Sequence, residues 1–230
     1  MIFITGDTHG NFDINKLSHH NWKYGKFLTK NDVLIIAGDF GLIWDVNNSK
    51  DTEKYWLDWL SNKEWTTLFI DGNHENFDRL ALYPEVDLFG SKAGKITDSI
   101  YHLKRGNIYT IQGKTFFTFG GARSEDKQTR REFISWWKQE LPSYAEYQHG
   151  LATLAAYGNK VDYIITHTAP AFLIHQITGF HFNDTEYDLT KFFDKLYKEV
   201  QFKQWYCGHL HINEKINNVW ALYDQIVEVE

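Results

Sequence analysis

Five times along this chain a short apolar run stops abruptly at a glycine, aspartate or histidine. Ile2-Phe3-Ile4-Thr5 leads into Gly6-Asp7-Thr8-His9-Gly10, and Val33-Leu34-Ile35-Ile36-Ala37 into Gly38-Asp39. Leu68-Phe69-Ile70-Asp71 leads into Gly72-Asn73-His74-Glu75, and Tyr163-Ile164-Ile165-Thr166 into His167-Thr168-Ala169-Pro170. The fifth run, Trp205-Tyr206-Cys207, leads into Gly208-His209-Leu210-His211. Strands buried on both faces read as near-continuous apolar runs, and ligands collect outside the carboxyl ends of such strands. A chain that repeats this pattern is constrained to an α/β fold with seven or eight potential metal ligands on one rim.

The rest of the sequence fits that frame. Strands are expected near 2–5, 33–37, 66–70, 108–111, 115–119, 161–166, 204–207 and 215–229, and helices near 13–20, 50–62, 75–82, 125–140, 143–157 and 186–200. Tyr55, Trp56, Trp59 and Leu60 recur at helical spacing, and Asp51 and Glu53 favour the N-terminus of that helix. The segment 108–119 reads as a hairpin about Gln112-Gly113-Lys114, and 215–229 as another about Asn217-Asn218. Alternation followed by hairpins suggests a mixed sheet, or two packed sheets with helices outside. At 230 residues, without internal repeats or a Pro/Gly/Ser linker, a single domain over 1–230 is expected.

Composition narrows the function. A net charge of −6 disfavours a nucleic-acid partner, although two divalent cations would offset four of those charges where an anion binds. Cys207 is the single cysteine, so no internal disulfide can form, and it reads as a small buried hydrophobe. No apolar stretch approaches a membrane span, and the first strand begins at Ile2, leaving no room for a signal peptide. A cytoplasmic protein without a membrane partner is the expectation.

The strand-end residues supply a coherent donor set. Asp7 and His9 alternate along extended backbone and can face one side, while Gly6 and Gly10 allow a sharp turn beside an ion. Asp39 can bridge two metals, Asn73 offers an amide oxygen, and His167, His209 and His211 offer imidazole nitrogens. Acid, amide and imidazole without thiolate suit Mn²⁺, Fe, Zn²⁺ or Co²⁺ better than Ca²⁺. Each motif alone is ordinary: a Gly-Asp after a strand is usually a turn, and His209-Leu210-His211 alone reads equally as paired strand histidines or a mononuclear site. Their ordered joint occurrence carries the weight.

Gly-Asp-x-His-Gly, Gly-Asp, Gly-Asn-His-Glu, a later histidine and Gly-His-x-His together resemble the calcineurin-like metallophosphoesterase superfamily, particularly a branch of small bacterial and phage enzymes. The motifs run from Asp7 to His211. The resemblance implies a four-layer α/β/β/α sandwich of two mixed β-sheets flanked by helices, with two divalent metal ions at the strand ends. Carried over by position, Asp7, His9 and His211 would hold one ion and Asn73, His167 and His209 the other, with Asp39 bridging. His74 would sit beside the metals as the catalytic residue without binding either. The implied reaction is hydrolysis of a phosphomonoester or phosphodiester by a metal-bridging hydroxide, because paired ions lower the pKa of a bound water to about 7. His74 would protonate the leaving oxygen or stabilise the phosphorane.

The resemblance breaks at one motif. Serine/threonine protein phosphatases of this superfamily carry Gly-Asp-x-x-Asp-Arg-Gly second, whereas this chain reads Gly38-Asp39-Phe40-Gly41-Leu42-Ile43. An alkyl side chain does not replace a bidentate guanidinium. A small phosphorylated substrate, with a nucleotide among the candidates, is therefore favoured over a phosphoprotein. Protein phosphatase-like activity, a nuclease and a catalytically silent scaffold of the same fold are the alternatives.

The segment 123–145 could supply the missing cation as a substrate cap. With Ser124 as a helix N-cap, Lys127, Arg130 and Arg131 would share a helix face, and Arg123 or Lys127 would reach phosphate while a tryptophan stacked on an organic group. The competing reading is a solvated basic face. The nine tryptophans otherwise read as core, and His19, His20, His102, His149, His175 and His181 as surface or satisfied core residues.

Overall fold

A computed structural model describes residues 1–45, 51–178 and 187–230. In chain order the elements are β1 (Ile2–Thr5), β2 (Val33–Ile36), α1 (Asp51–Ser61), β3 (Thr66–Phe69), α2 (Phe77–Leu80), β4 (Glu85–Leu88), β5 (Ser91–Lys95), β6 (Ile100–Leu103), β7 (Asn107–Ile111) and β8 (Lys114–Phe119). There follow α3 (Tyr144–Ala156), β9 (Tyr163–Thr166), α4 (Ala171–Thr178), α5 (Tyr187–Glu199), β10 (Gln204–Cys207), β11 (Glu214–Ile216), β12 (Val219–Ala221) and β13 (Ile226–Glu228).

Among the described residues the strands form two mixed sheets, ordered β13-β1-β2-β3-β6-β5-β4 and β11-β12-β10-β9-β8-β7. Alternation of side chains across each strand sorts the core into three slabs. Ile2, Ile4, Val33, Ile35 and Leu68 face inward and meet Tyr109, Phe116, Tyr163, Ile165 and Tyr206 of the second sheet. Their neighbours Phe3, Leu34, Ile36 and Phe69 face outward onto Leu60 of α1 and Leu80 of α2. On the far side, Phe117, Phe119, Ile164, Trp205 and Cys207 pack against Leu154 of α3, Leu173 of α4 and Phe193 and Leu196 of α5. The result is the four-layer α/β/β/α sandwich.

Register levels the strand ends. Thr5 pairs with Ile36, which pairs with Phe69, and Phe119 pairs with Thr166, which pairs with Cys207. The five loops that follow β1, β2, β3, β9 and β10 therefore begin on one rim of the sandwich. α3 begins as its sequence suggests: the Ser143 side chain accepts from the Glu146 N–H, and the Glu146 carboxylate accepts from the Ser143 N–H at 2.7 Å.

Several expectations need correction. Residues 125–140 form no α-helix but two short 3₁₀ turns, Lys127–Thr129 and Lys138–Glu140. Ser124 does not cap a helix; its hydroxyl donates to Glu140 at 2.6 Å and closes the base of the excursion. The region 215–229 is not one hairpin, because β11 and β12 pair in the second sheet while β13 crosses to pair antiparallel with β1. Helix 13–20 contracts to a 3₁₀ turn at Ile14–Leu17. The strands β4, β5 and β6 and the helix α4 are additional to those expected. His181 and the first residue of each helix expected at 50 and 186 lie outside the described residues.

Candidate metal centre and active site

The two buried carboxylates build the rim before any ligand arrives. Asp7, fully buried after β1, accepts the backbone N–H of His209 at 3.0 Å and so ties the loop after β10 to the first sheet. Asp39, after β2, accepts the N–H groups of both Asn73 and His74 at 2.8 Å through Oδ1. Gly38 is required here: its φ is +92°, and a Cβ would lie 2.1 Å from His167 Nδ1.

The backbone carries strain at the same points. His9, Asp39, His209 and His211 all hold positive φ, between 41° and 66°. Such conformations cost non-glycine residues about 1–3 kcal/mol each and persist where surrounding structure over-determines them, typically at functional sites.

The side chains converge in three overlapping groups whose donor atoms lie within 4.8 Å of one another: Asp7, His9 and His211; His9, Asp39 and His74; and Asp39, His167 and His209. His211 Nε2 lies 3.1 Å from Asp7 Oδ2. Asp39 points one oxygen each way, with Oδ2 3.2 Å from His9 Nε2 and Oδ1 3.2 Å from His167 Nε2. Asn73 Oδ1 is 3.2 Å from the same His167 nitrogen. The outer ring nitrogens are fixed: His9 Nδ1 donates to Asp13 at 2.6 Å and His167 Nδ1 to the Ala37 carbonyl at 2.9 Å. Each Nε2 is thereby aimed inward, as in metal sites whose histidines are oriented by an outer acceptor.

Electrostatics match a cation-binding set. Burial would raise the Asp39 carboxyl, but the charge and hydrogen bond of His167, then the hydrogen bond of His9, hold it well below the usual carboxylate range. Asp7 is likewise lowered, the charge of His167 and the hydrogen bond from His211 outweighing burial. Against its own burial, His167 is pushed up to about 10, chiefly by Asp39. Burial, reinforced by His167, pushes His209 down to about 4, leaving it neutral. The donors are two carboxylates, one amide oxygen and imidazoles, converging with inward-facing nitrogens and retained proton charge. That arrangement fits divalent metal.

His74 sits at the edge of this cluster, its ring 5.1 Å from that of His9 and stacked on Trp44 at 5.7 Å. Its Nε2 lies 3.1 Å from Arg130 Nη2. A guanidinium can only donate, so Nε2 carries the lone pair and the neutral ring's proton rests on Nδ1. Burial first, then Arg130 and His9, lower the His74 pKa against the pull of Asp39. Beside these rings opens a cavity of about 630 Å³ walled by His9, His74, His211, Trp44, Trp56 and Tyr223. Of the cations in the segment expected to reach phosphate, Arg123 is half-buried and Lys127 is exposed, with its ammonium 3.9 Å over the Trp136 ring, while Arg130 lies beside His74. Leu42 and Ile43, standing where a protein phosphatase places its acid and arginine, are 2% and 0% exposed in the outer core.

Asp13 and Trp44 escaped the sequence reading, which named Glu75 only as part of its motif and Arg130 only as part of the basic run. Asp13, four residues after His9, had a signal in that spacing. Glu75 is buried and accepts the Phe40 N–H at 2.7 Å, bracing the Asp39 loop; burial and then Asp39 raise its carboxyl well above the usual range. Nothing local marks Trp44, and nothing local separates Arg130 from Lys127 and Arg131 in the basic run.

The family model described as calcineurin-like phosphoesterase matches residues 1–213. The chain belongs to that family. Its sandwich resembles a Staphylococcus aureus protein assigned as a 5′-nucleotidase and crystallised with α-ketoglutarate, at 14% identity and a TM-score of 0.51, covering 96% of this chain and 48% of that one. The chain thus spans about half the length of that protein. A phosphopantetheinyl hydrolase from Mycobacterium tuberculosis aligns over 96% of this chain and 87% of its own, at 17% identity and a TM-score of 0.45. No curated protein matches the sequence.

Proposed function

We propose that this protein is a dinuclear metal-dependent phosphoesterase acting on a small phosphorylated substrate. The observation that carries the reading is Asp39, whose two oxygens face His9 on one side and His167 on the other at 3.2 Å each. In this reading Asp7, His9 and His211 hold one ion, Asn73, His167 and His209 the second, and Asp39 touches both. Bound there, two divalent cations would provide hydroxide at neutral pH and offset charge on phosphoryl oxygens. The chain's own contribution is position and charge. Asp13 and the Ala37 carbonyl hold the imidazoles, the Asp39 loop sets the height of Asn73 and His74, and the aromatic cavity receives the organic part of the ester. His74, with its proton on Nδ1, is placed to hydrogen-bond the reacting group, an effect worth about 10²–10⁴ in rate for a positioned acid or base. The buried Leu42 and Ile43 favour a small ester over a phosphoprotein.

The test is a panel of p-nitrophenyl phosphate, bis-p-nitrophenyl phosphate and nucleotides against protein loaded with Mn²⁺, Zn²⁺ or Fe. Asp39→Ala should lose activity and metal together. Wild-type protein holding two ions per chain yet hydrolysing nothing would instead support the silent scaffold.

A further inference from the structure

The cation missing from the second motif has a replacement elsewhere in the fold. Arg130 lies on the irregular excursion between Ala122 and Trp137. That excursion is pinned at both ends: Ser124 bonds Glu140, and Trp137 Nε1 donates to Asp78 at 2.9 Å. Within it the guanidinium is immobilised, its Nε held by Asp126 at 2.6 Å and its side chain only 11% exposed. Its Nη2 then meets His74 Nε2, a neutral acceptor, at 3.1 Å. A largely buried, prepositioned guanidinium that ends on a ring nitrogen would exchange it readily for an anionic oxygen, since charge-assisted bonds are the stronger.

We infer that Arg130 is the phosphoryl-binding residue of this site and that it selects phosphomonoesters over phosphodiesters. The inference rests on the phosphoesterase reading above. A monoester carries three non-bridging oxygens and a diester two. Cations at the two donor groups account for two oxygens, so only a monoester retains a third charged oxygen for a guanidinium at the His74 edge. In a diester that position is an uncharged ester arm, and Arg130 gains nothing there. Asp126 is the positioning residue that keeps the fork turned inward.

Two measurements test this on the metal-loaded chain, with metal content determined for every variant. Calorimetric titration with inorganic phosphate should show Arg130→Ala binding about 10- to 100-fold more weakly, the range for a charge-assisted bond. Arg130→Lys, which keeps the charge but not the fork, should fall between, and Arg131→Ala, which removes an exposed charge from the same segment, should match wild type. In parallel, Arg130→Ala should lower kcat/KM for p-nitrophenyl phosphate by a similar factor, mostly through KM, while bis-p-nitrophenyl phosphate changes less than about threefold. Equal losses on both esters, or phosphate affinity unchanged in Arg130→Ala, would overturn the inference and leave Arg130 as a support for His74. If no variant hydrolyses either ester but phosphate binding still depends on Arg130, the phosphoryl site stands and the hydrolytic reading falls. Should Arg130→Ala not fold, the lysine variant carries the same comparison.

Discussion

Replacing Arg105 with methionine should weaken the fold by several kcal/mol in a strongly pH-dependent way. Asp71, two residues before Asn73, is 2% exposed and takes a hydrogen bond from Arg105 Nε at 2.7 Å and another from His102 Nε2 at 3.1 Å. The same guanidinium donates to the Gln139 carbonyl at 2.8 Å, while the Asp71 carbonyl accepts the Gly121 N–H at 2.9 Å. One buried pair thus fastens the end of β3 to both feet of the excursion bearing Arg130. Removing one partner of a buried ion pair strands the other charge and costs about 3–5 kcal/mol. For a chain of this size that is a fall in Tm of about 6–20 °C.

The sign with pH follows from the direction of the Asp71 shift. Burial would raise its carboxyl, but the charge of Arg105 and then the hydrogen bond of His102 lower it well below the usual range. Because the folded pKa is depressed, this group's stabilisation is present above the unfolded value near 4 and fades as pH falls through the folded value. In Arg105→Met burial loses its main opponent, the carboxyl pKa rises, and the variant loses stability as pH climbs past about 4. The deficit against wild type should therefore already be substantial at pH 4, where the wild-type pair is still ionised, and larger at pH 7, read by urea unfolding at both values with metal content fixed. Asp71→Asn/Arg105→Met should recover much of the loss at pH 7. A single variant melting within 2 °C of wild type at pH 7, or an equal deficit at both pH values, would refute the reasoning.

His74→Ala should lower turnover by about 10²–10⁴ while leaving metal content near two per chain by mass spectrometry of the metals; loss of one ion would instead make His74 a ligand, as its grouping with His9 and Asp39 allows. Metal affinity should rise with pH, with protons released on loading, because His167 is pushed up to about 10 and His9 is also raised, the hydrogen bond and charge of Asp39 outweighing burial. Pulse titration in weakly buffered solution measures that release, and its absence at pH 7 would contradict a protonated His167. Gly38→Ala should cost several kcal/mol and most of the metal affinity, since its Cβ would enter the His167 ring at a φ of +92°; a variant with normal metal content and Tm would remove the need for glycine.

The parallel strands were legible because each is buried on both faces and ends at a Gly, Asp or His, so run and punctuation agree. The donor residues share that signal, and the structure brings all seven, with His74, to one rim. What escaped depends on distant partners. Glu85–Leu88 and Ser91–Lys95 are mixed-polarity strands at a sheet edge, and only their pairing identifies them. The basic run at 127–131 has helical spacing, yet the bonds of Ser124 to Glu140 and Trp137 to Asp78, with Lys127 over Trp136, hold it in an irregular path. Ile226–Glu228 continues locally from the β11–β12 hairpin, and only the open edge of β1 draws it to the other sheet. Arg130 and Trp44 meet His74 through such tertiary placement, beyond the reach of spacing alone.

The division of donors between the sheets has a mechanical consequence. Asp7, His9, Asp39 and Asn73 follow strands of one sheet, and His167, His209 and His211 follow strands of the other. Both candidate ion positions therefore straddle the seam, and each ion would act as a rivet between two plates otherwise joined by the apolar slab of Ile35, Leu68, Tyr163 and Tyr206. Any slip of that slab changes the spacing of the donors. A methyl group removed deep between the plates, far from any ligand, would be felt at the rim as altered metal affinity.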